Sequence, residues 1–292
     1  MEAEELARWR AAGRIAAGAR DLGVRRAVAG TGRRELAELI EGYIRQQGAE
    51  PAFPANISRN VEAAHYTPDP EDGERLRAGD LVKIDVGAHL DGALSDTAVT
   101  VEVGGGAAHE NLRRAVREAL AAAVAEVRPG ARVDALSTAI ETAIHRRGLK
   151  PVRNLTGHSL ERYLLHAGKA IPNVAGMSAE LLHEGEIIAI EPFATNGAGE
   201  IANGPFGNIL RFRDDPGPKD PGLRALFGRF RTLPFALRWV APEDRERLRA
   251  ARRHLQTYPV FLERGGGWVG QAEHTVRVGA DGPELLTGPG PE

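Results

Sequence analysis

Apolar residues recur at helical spacing from residue 2 to about 28, predicting a first helix with glycines weakening its end. Thr31-Gly-Arg-Arg-Glu35 reads as a helix start, and from Glu35 to Gln47 the residues Leu36, Leu39, Ile40 and Ile44 share one face until Gly48 ends the run. Pro51 to Ser58 has strand character, punctuated by Pro54, and His65 to Pro70 reads as a turn. Leu81 to Val86 continues through Gly87 to Leu90. The Asp91-Gly92 pair then leads into a second run, Ala93 to Val103, which is a hairpin signature. Helices are predicted over 109–127 and 133–147, split by Pro129-Gly130, and strand texture returns from 151 to 194, most clearly in Glu186 to Glu191. Two helices thus lead into a strand-rich block near residue 51 and again near residue 151, as expected of two related halves. From 196 to 267 the texture changes: Pro205, Pro216, Pro218 and Pro221 interrupt the chain, 243–256 reads as a basic helix, and 272–278 resumes as a strand. The predicted domains are therefore a main α+β body over 1–204 and 263–292, with an insertion over 205–262. Gly288 to Pro291 is expected to fray.

The chain has 292 residues, 42% hydrophobic and 27% charged, which is ordinary globular composition with enough length for a sizeable core. A net charge of −2 argues against a general DNA or membrane-surface binder. No cysteine is present, which excludes disulfides, thiolate metal sites and a cysteine nucleophile. No stretch approaches the ~20 apolar residues of a membrane span. The charged N-terminus has no signal-peptide core, so the expected compartment is the cytoplasm; the expected state, a monomer, has no sequence signal behind it.

The chemistry concentrates in a few acidic and imidazole side chains. Asp85 sits inside an apolar strand, where a lone carboxylate is costly unless paired or metal-bound. The hairpin brings Asp96 back towards it, and a divalent cation between two carboxylates removes their repulsion. His158 follows a glycine, and a continuous strand would put it on the same face as His166. Glu191 ends the apolar run IIAIEPF, and Glu273 lies in QAEHT. Each of these has a bland reading as a turn, edge or surface residue. Together, carboxylates plus one imidazole suit Mn, Fe, Co or Zn, and bridging carboxylates suit a two-metal site.

The strings AFPANISRNVEAAHYTP (52–68), IDVGAHLDGALSDTAVTV (84–101), NLTGHSLERYLLHAG (154–168), IAIEPFATNG (188–197) and QAEHTV (271–276) resemble the methionine aminopeptidases, specifically the type 2 group. The resemblance covers essentially the whole chain and implies the pita-bread fold with pseudo-two-fold halves. It implies two divalent metal ions, with Asp85 on one, His158 and Glu191 on the other, and Asp96 and Glu273 bridging both. It implies that His65 and His166 contact the substrate, that Glu191 carries a proton to the leaving amine, and that Phe53, Leu165, Phe193 and Tyr258 line a methionine pocket. The implied reaction is removal of the N-terminal methionine from nascent chains by a hydroxide held between the metals, with a small second residue preferred. The segment TLPFALRW (232–239) looks like the lead-in to the helical type 2 subdomain, and the basic helix reads as a solvated face, with a ribosome contact as the sharper alternative. Two departures stand out. Ala272 occupies a position where the family commonly has phenylalanine, leaving a gap for Trp268 or Phe261 to fill, and Gly265 to Gly267 is expected to loosen the approach to the last strand. The rival readings are a proline-type aminopeptidase of the same fold, or a non-catalytic RNA- or ribosome-binding relative.

Overall fold

The computed structural model describes residues 2–216 and 220–288. Its first half runs α1 (Ala3–Arg26), α2 (Arg33–Gln46), β1 (Glu50–Pro51), β2 (Asn56–Arg59), β3 (Glu62–Ala64), β4 (Leu81–Leu90) and β5 (Ala93–Glu102). The second runs α3 (Glu110–Ala125), α4 (Val133–Arg146), β6 (Lys150–Pro151), β7 (Thr156–Leu160), β8 (Ala170–Pro172), β9 (Ile187–Ile190) and β10 (Phe193–Thr195). Then follow β11 (Ile201–Phe212), α5 (Pro221–Phe230), β12 (Phe235–Ala236), α6 (Pro242–Ala250), β13 (Leu255–Glu263), β14 (Val269–Gln271), β15 (His274–Gly279) and β16 (Gly282–Leu285).

The internal repeat is visible in the backbone. Helices α2 and α4 are both 14 residues long. Each ends at a glycine with positive φ, Gly48 at 78° and Gly148 at 68°, and each leads into a two-residue strand ending in proline. A left-handed residue at this point is the usual helix stop. In the first half, β4 carries β1 and β2 along one edge and β5 along the other. In the second half, β9 lies between β7 and β15. Two cores back these sheets: one under α1 and α2 with Leu36, Ile40, Ile57 and Ile84, and one under α3 and α4 with Val116, Leu136, Ile140 and Ile188.

The glycines of α1 do more than weaken a helix. A Cβ at Gly13 would stand 2.1 Å from the Leu286 carbonyl oxygen, and one at Gly23 would stand 2.8 Å from Ile40. Their absent side chains let α1 lie close against the body.

The halves are stitched where β5 meets β15. Ala98 and Glu273 exchange backbone hydrogen bonds, and the Asp96 N–H donates to Thr275 Oγ1 at 2.7 Å. In the 205–262 region both expected boundaries fall inside strands: β11 and β13 form a long bulged antiparallel stem that carries α5 and α6. The basic helix is shorter than expected. It stops at Ala250, a short 3₁₀ turn over Arg252–His254 follows, and Leu255 and Gln256 already belong to β13. Strand pairing, which gives Leu255 the partner Phe212, overrides the helical propensity of the run. The end of the expected frayed tail, 289–291, lies outside the described residues.

Candidate metal centre and substrate cavity

The two aspartates meet because of hairpin register. Asp85 stands opposite Ala98 and Asp96 opposite Gly87, so the carboxylates are diagonal neighbours on one face. A Cβ on Gly87 would strike Phe53 at 2.4 Å, so that position must be glycine for the pocket wall to close on the hairpin. His158 comes from β7. Glu191 and Glu273 are not within strands as the sequence suggests: Glu191 follows the last residue of β9, and Glu273 sits in the break between β14 and β15. The breaks come where proline follows Glu191 and where the last strand changes sheet between β10 and β9.

All five side chains line one cavity of about 220 Å³. Ligand atoms of Asp96, His158 and Glu273 lie within 4.8 Å of one another. His158 Nε2 is 3.6 Å from Asp96 Oδ2 and 3.7 Å from Glu191 Oε1. Asp85 accepts from Asn56 Nδ2 at 3.2 Å, and Gln271 Nε2 lies 3.5 Å from Asp85 and 3.4 Å from Glu191. Asp85 Oδ1, Asp96 Oδ1 and both Glu273 carboxylate oxygens are buried with no hydrogen-bond partner. A buried carboxylate in that state is strongly disfavoured. Burial, reinforced for three of the four by neighbouring carboxylates, therefore pushes their pKa values up, Asp85 to about 6 and Asp96, Glu191 and Glu273 further. Lys83 does not relieve them: its ammonium donates to the Asn60 carbonyl at 3.0 Å. Burial, and secondarily His166, pushes His158 down to about 3, leaving a neutral imidazole suited to ligation. Unpaired hard oxygen donors beside one imidazole fit divalent metal.

The rest of the cavity fits an apolar side chain. Phe53, Leu165, Phe193 and Tyr258 all line it, joined by Ile209 and by Pro234 and Phe261, the last two not assigned to the wall by sequence. His65 adopts φ 65°, a conformation uncommon outside glycine and worth attention at a functional position. Its ring packs 5.2 Å from Tyr258 and 4.4 Å from Phe261, and its Nδ1 is buried without a partner. Burial lowers its pKa to about 4, with His166 adding to the effect, so it is neutral at physiological pH. His166 does not share a strand with His158, since β7 ends at Leu160. The chain turns back, and Ala167 N–H donates to the Ser159 carbonyl, which leaves the two rings 4.4 Å apart.

Asn56 and Gln271 are the residues the sequence reading passed over. Both lie inside quoted strings, and Asn56 is directly opposite Asp85 in the sheet. The expected looseness at Gly265 to Gly267 is overturned. Glu263 accepts from the N–H groups of Gly199 at 3.0 Å, Gly265 at 2.7 Å and Gly267 at 2.9 Å, and also from Ala198. A Cβ on Gly267 would lie 2.3 Å from Gly197, so this run is a tightly packed turn. Beside Ala272, Trp268 packs against the same core while stacking on His109, whereas Phe261 belongs to the cavity.

Residues 7–215 match metallopeptidase family M24. A methionine aminopeptidase from Pyrococcus horikoshii is 43% identical over 94% of this chain and 97% of its own. The fold resembles a crystal structure of methionine aminopeptidase from Thermotoga maritima, with TM-score 0.75, 22% identity and coverage of 99% of this chain and 98% of that one. It also resembles a thermophilic Arx1, with TM-score 0.85, 15% identity and coverage of 100% and 92%. At those identities the structural likenesses speak for the fold alone.

Proposed function

We propose, from the premise that the chain belongs to metallopeptidase family M24 and within it to the methionine aminopeptidases, that it removes the N-terminal methionine from polypeptides as a type 2 enzyme. The observation that carries this reading is the set of partnerless buried carboxylate oxygens in the same cavity as the apolar side chains Phe53, Leu165 and Phe193. The type 2 assignment is supported by the long stem and helices between Glu191 and Glu273. The P. horikoshii relative matches over 94% of this chain, a share too large to omit that stretch.

In this reading Asp85, Asp96, His158, Glu191 and Glu273 would hold two divalent ions, Co, Mn, Fe or Zn. When bound, such ions acidify water and polarise a carbonyl. The remaining work falls to the chain itself. Phe53, Leu165, Phe193 and Tyr258 exclude water from the methionine side chain. His65, neutral and held in its aromatic slot, hydrogen-bonds near the scissile amide. His166, beside His158, offers a donor to the carbonyl oxygen as charge develops on it. Glu191, lining the cavity beside His158, carries a proton to the departing amine.

The substrates would be N-termini of nascent chains in the cytoplasm, with a small second residue, cleaved by a monomer. A ribosome contact through α6 draws little support, because its three arginines are engaged within the chain: Arg247 with Asp244 and Asp220, Arg249 with Glu246, and Arg245 with the Leu237 and Val240 carbonyls. Among the described residues no helix is long and apolar enough to cross a membrane. The test is methionine release from Met-Ala-Ser after chelation and re-addition of single metals, with an Ala-Pro peptide alongside. Metal-restored cleavage of Met-Ala-Ser supports the assignment; cleavage of Ala-Pro alone would replace it with a proline-type activity.

A further inference from the structure

The segment leading from α5 towards α6 touches both loops that carry the substrate-facing histidines. At one end, Thr232 Oγ1 donates to the Tyr163 carbonyl at 2.6 Å, and the Arg231 guanidinium lies 4.1 Å from the Tyr163 ring centroid. Tyr163 belongs to the loop bearing Leu165 and His166. Leu233 then packs in one cluster with Leu165 and Phe53, and Pro234 reaches the cavity. At the other end, Arg238 donates to Thr67 Oγ1 at 2.6 Å and to the Pro68 carbonyl at 3.1 Å, fastening the loop that follows His65. Arg238 is itself held by Glu41 of α2, whose other carboxylate oxygen accepts from Trp239 Nε1 at 2.7 Å. Glu41 also accepts from the Ala55 N–H at 3.1 Å, next to Asn56, and Thr67 Oγ1 donates to the Ala55 carbonyl at 2.9 Å. The Glu41 and Arg238 side chains are 2% and 3% exposed.

A buried ion pair is a weak source of stability but a strong means of fixing geometry, since removing one partner leaves the other charged and unpaired. Here the pair sits at the junction of three elements: α2, the His65 loop and the inserted segment. We propose that residues 232–239 form a strap that sets the span between the His65 and His166 loops, with Arg238 as its positioning residue. The strap thereby determines how firmly the cavity grips the N-terminal side chain. This deepens the methionine aminopeptidase reading and rests on it, while leaving the metal ligands untouched.

The test compares Arg238→Met, the paired variant Glu41→Gln/Arg238→Met and Thr232→Val with the unmodified metal-loaded protein. The paired variant removes both charges together and keeps an amide oxygen to accept from Trp239 Nε1 or the Ala55 N–H, which protects folding. Arg238→Met and the paired variant are expected to raise KM for Met-Ala-Ser about 10-fold with kcat changed less than about 3-fold, and Thr232→Val to raise it about 3-fold, since each 10-fold corresponds to one well-made interaction. Metal affinity should stay unchanged in all three. Hydrogen exchange, which does not depend on catalysis, should quicken at residues 64–68 in both Arg238 variants and at 162–167 in Thr232→Val, with the core cluster under α3 and α4 unaffected. If the paired variant folds with the unmodified KM and unmodified exchange at 64–68, the strap is wrong. If the unmodified protein releases no methionine, the parent reading fails, and the exchange data still decide whether Arg238 holds the His65 loop.

Discussion

Glu263 and Glu273 are two buried glutamates near one another in sequence, 4% and 1% exposed, with opposite surroundings. Around Glu263 four backbone N–H groups converge, and the carboxylate is fully answered by its own protein. Around Glu273 neither oxygen has a partner, and the nearest groups include other carboxylates and an imidazole. The first arrangement organises a turn. The second makes sense only with something positive added. The lesson is that burial alone does not mark a functional carboxylate; unanswered burial does.

The largest expected effect comes from breaking the unanswered side. Glu273→Gln should lower kcat/KM for Met-Ala-Ser by roughly 10³-fold or more, beyond the 10- to 100-fold that loss of an outer-shell partner usually costs. The same change should make the metal-free protein no less stable, because it removes a carboxyl group whose ionisation burial and the neighbouring carboxylates disfavour. Glu263→Gln should behave in reverse: thermal denaturation should show a loss of about 2–4 kcal/mol, since an amide cannot answer four N–H donors. Metal affinity in the folded fraction should be unchanged. A drop in stability for Glu273→Gln equal to that for Glu263→Gln would erase the distinction.

Gln271 tests the margin between the two cases, because its amide is shared by Asp85 and Glu191. Gln271→Leu should weaken metal binding by about 10- to 100-fold, read by calorimetry, without abolishing it.

Acidity sharpens the comparison further. With its pKa near 6, Asp85 keeps a proton in the folded protein that the unfolded chain, near 3.8, has already released. Metal-free stability from this group therefore falls as pH rises between those values, and Asp96, Glu191 and Glu273 extend the fall to higher pH. His65 and His158, lowered to about 4 and 3 from 6.5, act in the opposite sense, adding stability as pH rises to about 6.5. Above that Lys83, lowered by burial from 10.5 to about 7, also adds stability as pH rises, in metal-free and metal-loaded protein alike. The melting temperature of metal-free protein should therefore fall relative to that of metal-loaded protein from about pH 6.5 to 8.5, and metal binding should release more protons at the lower pH. The smallest effect belongs to α6: Arg249→Ala, on a largely exposed pair, should change stability by no more than about 0.5 kcal/mol and leave methionine release intact.

The hairpin holding Asp85 and Asp96 was legible because two alternating runs flank an Asp-Gly turn, and register then follows from loop length. The helix pairs were legible from their periodicity and terminal glycines. The placement of Glu191 and Glu273 was not, because apolar runs show that a strand exists but not the residue at which it changes partners. The His158 and His166 relation depended on a continuous strand that the chain does not make. The glycine run before β14 was misread because its need lies in contacts with Gly197 and Glu263, distant in sequence. Arg238 and Glu41 gave no signal at all, since charged residues on helical segments usually face solvent.

The most direct measurement is an anomalous-scattering map of crystals soaked in manganese. The account predicts two peaks within the ring of Asp85, Asp96, His158, Glu191 and Glu273, with Asp96 and Glu273 between them and Glu263 bare. Peaks elsewhere, or none in that cavity at saturating metal, would contradict it.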